Sequence, residues 1–260
     1  MIPPALHIPI ATARRFLRRA LGLDELFPDI AAALAHLGYV AIDPLNVCGR
    51  MHDLILCHRV AGYRDGALFD FIHGPDRPGF EHYLPGAGVL AAFPRAAWAF
   101  LLPHMRQRRT LAFGYAGKLS PVEERLALYI LAEIGTRGPL MSDEIAPDGR
   151  AMIERAAQER AIKTVLEKLL VHGRVLISAR RNFRRVYDLP ERVLPAATLA
   201  AAEPPPQEAA RWLVLGRLRQ RRLAGLKKTE LPLVEDCVQP VKVDGGPALY
   251  CLREDTGLLD

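Results

Sequence analysis

The sequence predicts a mainly α protein with small β-hairpins, arranged as tandem winged-helix domains. Three observations carry that expectation. Helical periodicity bounded by cap and stop signals fills most of the chain. Helices give way to paired β-rich runs in two places, after Gly173 and around the Asp244-Gly245-Gly246 turn. The 260 residues, half apolar and a quarter charged, provide material for about two domains or three small ones and exclude disorder as the main state.

The elements follow in order. From Ala11 to Leu21, Phe16, Ala20 and Leu21 share one side and Arg14, Arg15, Arg18 and Arg19 the others, which predicts a short basic helix ended by Gly22. Pro28 opens a second helix with Ile30, Leu34 and Leu37 as its apolar stripe and Gly38 as its stop. Tyr39 to Ile42 reads as extended. Asp43-Pro44 supplies an N-cap and a first-turn proline for a long helix from about Leu45 to Val60. Between Ala61 and Gly117 the pattern predicts short helices, as over Ala67 to Ile72, and a longer one after Pro94.

Ser120-Pro121-Val122-Glu123 is a capping box with proline in the first turn, and Leu126, Tyr129, Ile130 and Ile134 give the buried face of the helix it opens. A short helix near Ser142 to Ile145 and a third from Ala161 to Val171 follow, then strands Arg174 to Ser178 and Phe183 to Leu189 joined around Arg181-Asn182. Three helices and a hairpin is the order of a winged helix. After the Ala- and Pro-rich Ala200 to Pro206, the order returns in shorter form: helix Gln207 to Leu218, a helix near Thr229 to Val234, and the final hairpin. The expected domains are 1–117, helical and winged-helix-like; 118–199, with a basic wing; and 206–260, a compact unit open to truncation.

The net charge of +6 favours polyanionic partners. Cys48, Cys57, Cys237 and Cys251 form no Cys-x-x-Cys pair, so neither a disulfide framework nor a structural metal is expected. The apolar run Val89 to Leu102 is broken by Pro94 and Arg95 and is too short to cross a bilayer, and no secretory signal opens the chain, so a cytoplasmic, nucleoid-associated location is expected. No cofactor is indicated. Arg180, Arg181, Arg184 and Arg185 cluster at the hairpin with no acid between Arg180 and Val186, which makes them the best DNA-contact candidates; a solvated, charged edge strand is the competing reading. Arg217, Arg219, Arg221 and Arg222 form a second basic run that reads equally as cations at a helix C-terminus.

The stretch Phe183 to Pro195 closely resembles a signature of the tandem winged-helix DNA glycosylases, the YcaQ-like and AlkZ-like family that removes alkylated purines and unhooks interstrand cross-links. Ala13-Arg14-Arg15, Gly22-Leu23, then Asp43, Leu45, Asn46 and Val47 with Arg50 and His52, Phe80-Glu81, and Gly138-Pro139-Leu140 occur in the family's order, so the resemblance spans nearly the whole chain. It implies a double-stranded DNA partner, alkylated or cross-linked, and a catalytic motif of Gln-hydrophobe-Gln or Gln-hydrophobe-Asp. Here that motif stands as Ala41-Ile42-Asp43, and Pro85-Gly86 replaces a His-Glu pair of the family. The resemblance further implies a C-terminal β domain after residue 260, so the sequence reads as cut or as a short relative.

An alkylated purine carries positive charge and leaves without a general acid on the base, so one carboxylate suffices to orient water and stabilise charge on the sugar. Asp43 is the candidate, and it reads equally as the cap of the following helix. Asn46 and Arg50, at i+3 and i+7, would share its helical stripe and meet phosphate or sugar; His52 belongs to the motif although packing explains it as well. The expected function is hydrolysis of N-glycosidic bonds of alkylated or cross-linked purines. The alternative is an inactive relative that binds DNA as a regulator or damage sensor.

Overall fold

The computed structural model describes residues 2–43, 45–112, 116–145 and 152–259, without the side chains of 152–156 and 158. The protein is mainly α with small sheets, as the sequence predicts. In chain order the elements are β1 (Leu6–Ile8), α1 (Ile10–Ala20), α2 (Ile30–Leu37), β2 (Val40–Ala41), α3 (Met51–Cys57), α4 (Ala67–Ile72), β3 (Gly79–Tyr83), β4 (Leu90–Pro94) and α5 (Trp98–Thr110). There follow α6 (Pro121–Arg137), β5 (Leu140–Met141), α7 (Met152–Val171), β6 (Leu176–Arg181), β7 (Arg184–Asp188), α8 (Pro190–Val193) and α9 (Ala196–Leu199). The chain closes with α10 (Pro206–Arg221), α11 (Leu231–Val234), β8 (Val238–Val243), β9 (Ala248–Leu252) and a 3-10 turn (Arg253–Leu258). The strands form three sheets, ordered β1-β8-β9, β2-β4-β3 and β5-β7-β6.

Two compact units divide the chain, neither continuous in sequence: one takes 1–40, 45–67 and 204–260, the other 41–44 and 68–203. In the first, α1 lays Ala13, Phe16 and Ala20 into a core with Ile8, Val241 and Cys251. The Asp29 carboxylate caps α2 by accepting from Ala32 N–H at 2.7 Å, and Gly38, at φ +80°, ends it. β1 runs parallel to β8, Leu6 beside Val241 and Ile8 beside Val243, an edge that no sequence signal announces. Buried Arg222 is held by Asp255 at 3.1 Å and donates to His36 O at 2.8 Å, while Arg217 pairs with Glu230 at 2.6 Å, so half of the second basic run is committed within the fold.

The helix expected from Leu45 to Val60 is shorter. Residues 45–50 are irregular, and α3 begins at Met51 with Arg50 as its N-cap residue. Gly49 adopts φ +145°, a conformation outside the helical region, and Val47 is 94% exposed, so no apolar stripe forms to hold a helix there. No helix starts at Asp43, which removes both its capping role and the stripe shared with Asn46 and Arg50.

In the second unit, the stretch expected to hold only helices contains the antiparallel pair β3–β4. Gly79 is required there: a Cβ would come 2.6 Å from Phe93 O. The capping box at Ser120 forms as predicted, Ser120 Oγ accepting from Glu123 N–H at 3.3 Å and Glu123 accepting from Ser120 N–H at 2.7 Å. Residues 142–145 form a turn instead of the expected short helix; the residues immediately after them lie outside the description. Among the described residues no helix is long and apolar enough to cross a membrane.

Candidate functional site

The β6–β7 hairpin reverses at Asn182-Phe183, both at positive φ (+50° and +64°), as in the tight turns whose twist matches paired strands. A register shift between Ile177 and Ala179 re-aims the end of β6. Arg180 is thereby turned inward. Its guanidinium forms a two-pronged pair with Glu81 of β3, one contact being Nε to Oε1 at 2.8 Å, and it lies 4.6 Å over the Phe69 ring. Glu81 is fully buried and accepts a third bond from His73 Nε2 at 2.9 Å. Burial pushes its carboxyl up, but the Arg180 and His73 hydrogen bonds more than offset that and hold it at about 2. Phe69 stacks beside His73 and meets Phe183 edge-on, centroids 6.5 Å apart.

A second ionic cluster stands beside the first. Arg185 donates to Glu167 of α7 at 2.6 Å and to the Tyr83 hydroxyl at 3.2 Å, and Tyr83 donates to the same carboxylate through a short contact. Burial works against the Arg185 charge, and Glu167 with Tyr187 and Tyr83 outweighs it, so its pKa is raised. Next to these, His82 is buried with Nε2 donating to Leu170 O at 3.0 Å; desolvation pushes its pKa down to about 4 and keeps the ring neutral.

The clusters wall a cleft of about 370 Å³. Ile42 and Leu90 supply an apolar floor, Phe183 and Tyr187 aromatic faces, Lys163, Arg180, Arg184 and Arg185 positive charge, and Ser142 and Glu167 acceptors. Ile42 is fixed by donating its N–H to Leu90 O at 2.8 Å. Asp43 follows it directly and is half-buried, and Ala41 precedes it at the end of β2. The cleft has the shape and charge for a planar aromatic group attached to an anionic chain, with a carboxylate one residue from its floor.

The structure thus brings Ile42 together with three of the four hairpin arginines, and it finds an acid for each of the four. Arg181 meets Glu144 at 3.0 Å and Arg184 meets Asp143 at 2.6 Å; these two are about half exposed. Arg180 and Arg185 are largely withdrawn from solvent. In the other unit, Asn46 is exposed on the loop before α3 and Arg50 is half-buried. His52 is 1% exposed and lies 3.6 Å from Asp53, which accepts from the Tyr63 hydroxyl at 2.7 Å and from Gly66 N–H at 3.0 Å. Glu81, His73, Tyr83 and Glu167 are the contributors that sequence reasoning missed. Phe80-Glu81 was legible as a motif, but nothing in its spacing joins residue 81 to residue 180. Among the described residues no group of three or more His, Cys, Asp or Glu side chains could hold a metal ion.

The chain is similar in fold to the Streptomyces sahachiroi DNA glycosylase AlkZ, with a TM-score of 0.67 and 17% identity over 98% of this chain and 72% of that one. The model of the family described as DNA glycosylase AlkZ-like matches residues 34–256, a span that contains the Ala41-Ile42-Asp43 motif, the cleft, both ionic clusters and the basic hairpin. By that match the chain belongs to the AlkZ-like DNA glycosylase family.

Proposed function

We propose that this chain binds double-stranded DNA and hydrolyses the N-glycosidic bond of an alkylated or cross-linked purine, with Asp43 as the catalytic carboxylate. We further infer that its three sheets belong to three winged-helix modules in tandem. The observation that carries the activity is the position of Ile42-Asp43, whose Ile42 floors a cleft lined by aromatic and cationic side chains.

A purine alkylated at N7 or N3 already bears positive charge, so its departure needs no proton donor. Asp43 stabilises the positive charge that grows on the sugar and orients the attacking water. Tyr187 and Phe183 provide faces for the base. Arg181 and Arg184 exchange their surface acids for backbone phosphates, an exchange of low cost because exposed pairs are worth about 0–1 kcal/mol. Asn46 and Arg50 add polar contacts to DNA from their own unit. His52 contributes by shaping the start of α3, since its ring is buried.

Ala41 removes an amide that would hold the water in line. The loss of one such hydrogen bond is about 1–3 kcal/mol, or roughly ten- to hundredfold in rate. Ala41 and Pro85-Gly86 favour the second reading, an inactive relative that binds DNA as a regulator or damage sensor. Single-turnover excision of N7-methylguanine from a duplex separates the two. Wild type is expected to act slowly, Asp43→Asn to be inert, and Ala41→Gln to be faster by roughly tenfold or more. Inert wild type and inert Ala41→Gln, with duplex binding intact, would establish the binding protein instead.

A further inference from the structure

One basic side chain on the cleft differs in chemistry from the others. Of the chain's 35 basic residues only six are lysines, and among the described residues Lys163 is the lysine that lines the cleft, in the company of Arg180, Arg184 and Arg185. Those arginines pair with Glu81, Asp143 and Glu167 respectively. Lys163 makes neither a hydrogen bond nor an ion pair with a described residue; it acts on Asp143 from beyond ion-pair range, on a carboxylate that Arg184 already holds at 2.6 Å. α7 carries Lys163 on the same wall as Glu167, one i,i+4 step away, whereas Lys168 is spent on Glu123 at 2.7 Å. Phosphate contact alone does not explain a lysine here. The chain takes most of its positive charge from arginine, and a guanidinium meets phosphate at least as well. What a primary amine adds is the capacity to form an imine with a carbonyl.

We infer that Lys163 is the nucleophile of a second activity, cleavage of the DNA strand at an abasic deoxyribose. The inference rests on the proposed hydrolysis, which leaves in this cleft a sugar whose ring-opened form carries an aldehyde at C1′. The lone pair of Lys163 Nζ attacks C1′, the carbonyl oxygen departs as water, and a protonated imine forms. A C2′ proton then passes to water, its bonding pair becomes the C2′–C3′ double bond, and C3′–O3′ breaks with the phosphate leaving on the downstream strand. Hydrolysis of the imine returns the amine and frees the unsaturated aldehyde. Nothing is oxidised or reduced, and water is the co-reactant. Arg184, on the same cleft and about half exposed, offers positive charge to the departing phosphate.

The test supplies the abasic site ready-made, so it does not depend on excision. The full chain at saturating concentration is mixed with a duplex bearing one preformed abasic deoxyribose, and borohydride is added to reduce the imine to a stable amine. Wild type is expected to give a covalent protein–DNA adduct that maps by mass spectrometry to the peptide containing Lys163, and a nicked strand when borohydride is omitted. K163R keeps the charge and loses the primary amine. It is expected to saturate the duplex and to melt at the wild-type temperature, since the side chain is exposed, yet to yield about tenfold less adduct or none. A wild type that binds without adduct, or an equal yield from K163R through another amine, would overturn the inference while leaving the proposed hydrolysis standing. Adduct at Lys163 from a chain that fails to excise N7-methylguanine would uphold the strand cleavage and overturn the hydrolysis. Failure to bind the abasic duplex at all would overturn both.

Discussion

Glu81 and His82 are adjacent, both buried, and opposite in electrostatic logic. Glu81 is kept charged by Arg180 and His73, with its carboxyl at about 2 against an ordinary 4.5. A depressed carboxyl stabilises the fold above the unfolded value and loses that contribution as pH falls through about 2, a contribution on the order of 3 kcal/mol at neutral pH. His82 is kept neutral, at about 4 against 6.5. Below 6.5 the unfolded chain takes up a proton that the folded ring refuses, so stability declines as pH falls from 6.5 to about 4 and is unaffected by this group above that window. Thermal melts from neutral to acid pH should therefore fall in two overlapping steps, the first reduced in His82→Gln and otherwise carried by His36, His104 and His172, whose pKa values burial also lowers. Glu81→Gln should flatten the second and destabilise the neutral protein by about 3–5 kcal/mol, because it leaves Arg180 buried without a counter-charge. A melting temperature constant between pH 7 and 4 would contradict the account of His82.

At the scale of elements, the β6–β7 turn holds a phenylalanine where a left-handed backbone favours glycine, at a cost of about 1–2 kcal/mol. Phe183 offsets part of that cost by packing its exposed ring edge-on to Phe69. The two terms separate by mutation. Phe183→Ala loses the ring and keeps the strain, whereas Phe183→Gly loses both, so Gly should be more stable than Ala by about 1 kcal/mol in chemical denaturation. An Ala variant as stable as the Gly variant would mean the turn is unstrained. Elements with local signals were legible: α1 from its arginine-backed apolar stripe, α2 from Gly38, α6 from its capping box, and the β6–β7 and β8–β9 hairpins from their turns. β3 was not, because a strand buried on both faces with a charged residue inside breaks the alternation that marks a strand. Its charge is tolerated only through a partner on β6, which local sequence does not contain. The start of α3 was misplaced because Asp43-Pro44 is a good helix signal that Gly49 and an exposed Val47 override.

The whole molecule was the least legible scale, since its two units interleave in sequence while sequence reading proceeds in order. The candidate site shared that fate: the hairpin arginines were visible from their clustering, but the acids that hold them come from β3, α7 and the turn after β5. A parallel strand of three residues has no signature at all, and β1 is one, yet it joins the first sheet to a strand more than 200 residues downstream. That pairing sets the order in which the protein can be born. At roughly 5–20 residues per second on the ribosome, β1 waits on the order of ten seconds or more for β8 to emerge, whereas the segments of the second unit have all left the tunnel earlier. Nascent chains arrested before Val238 should thus be cut readily by trypsin within the arginines of α1 and resist it in the β6–β7 hairpin. Equal resistance at both places would mean that α1 finds its seat without β8, and the vulnerable interval in synthesis would lie elsewhere.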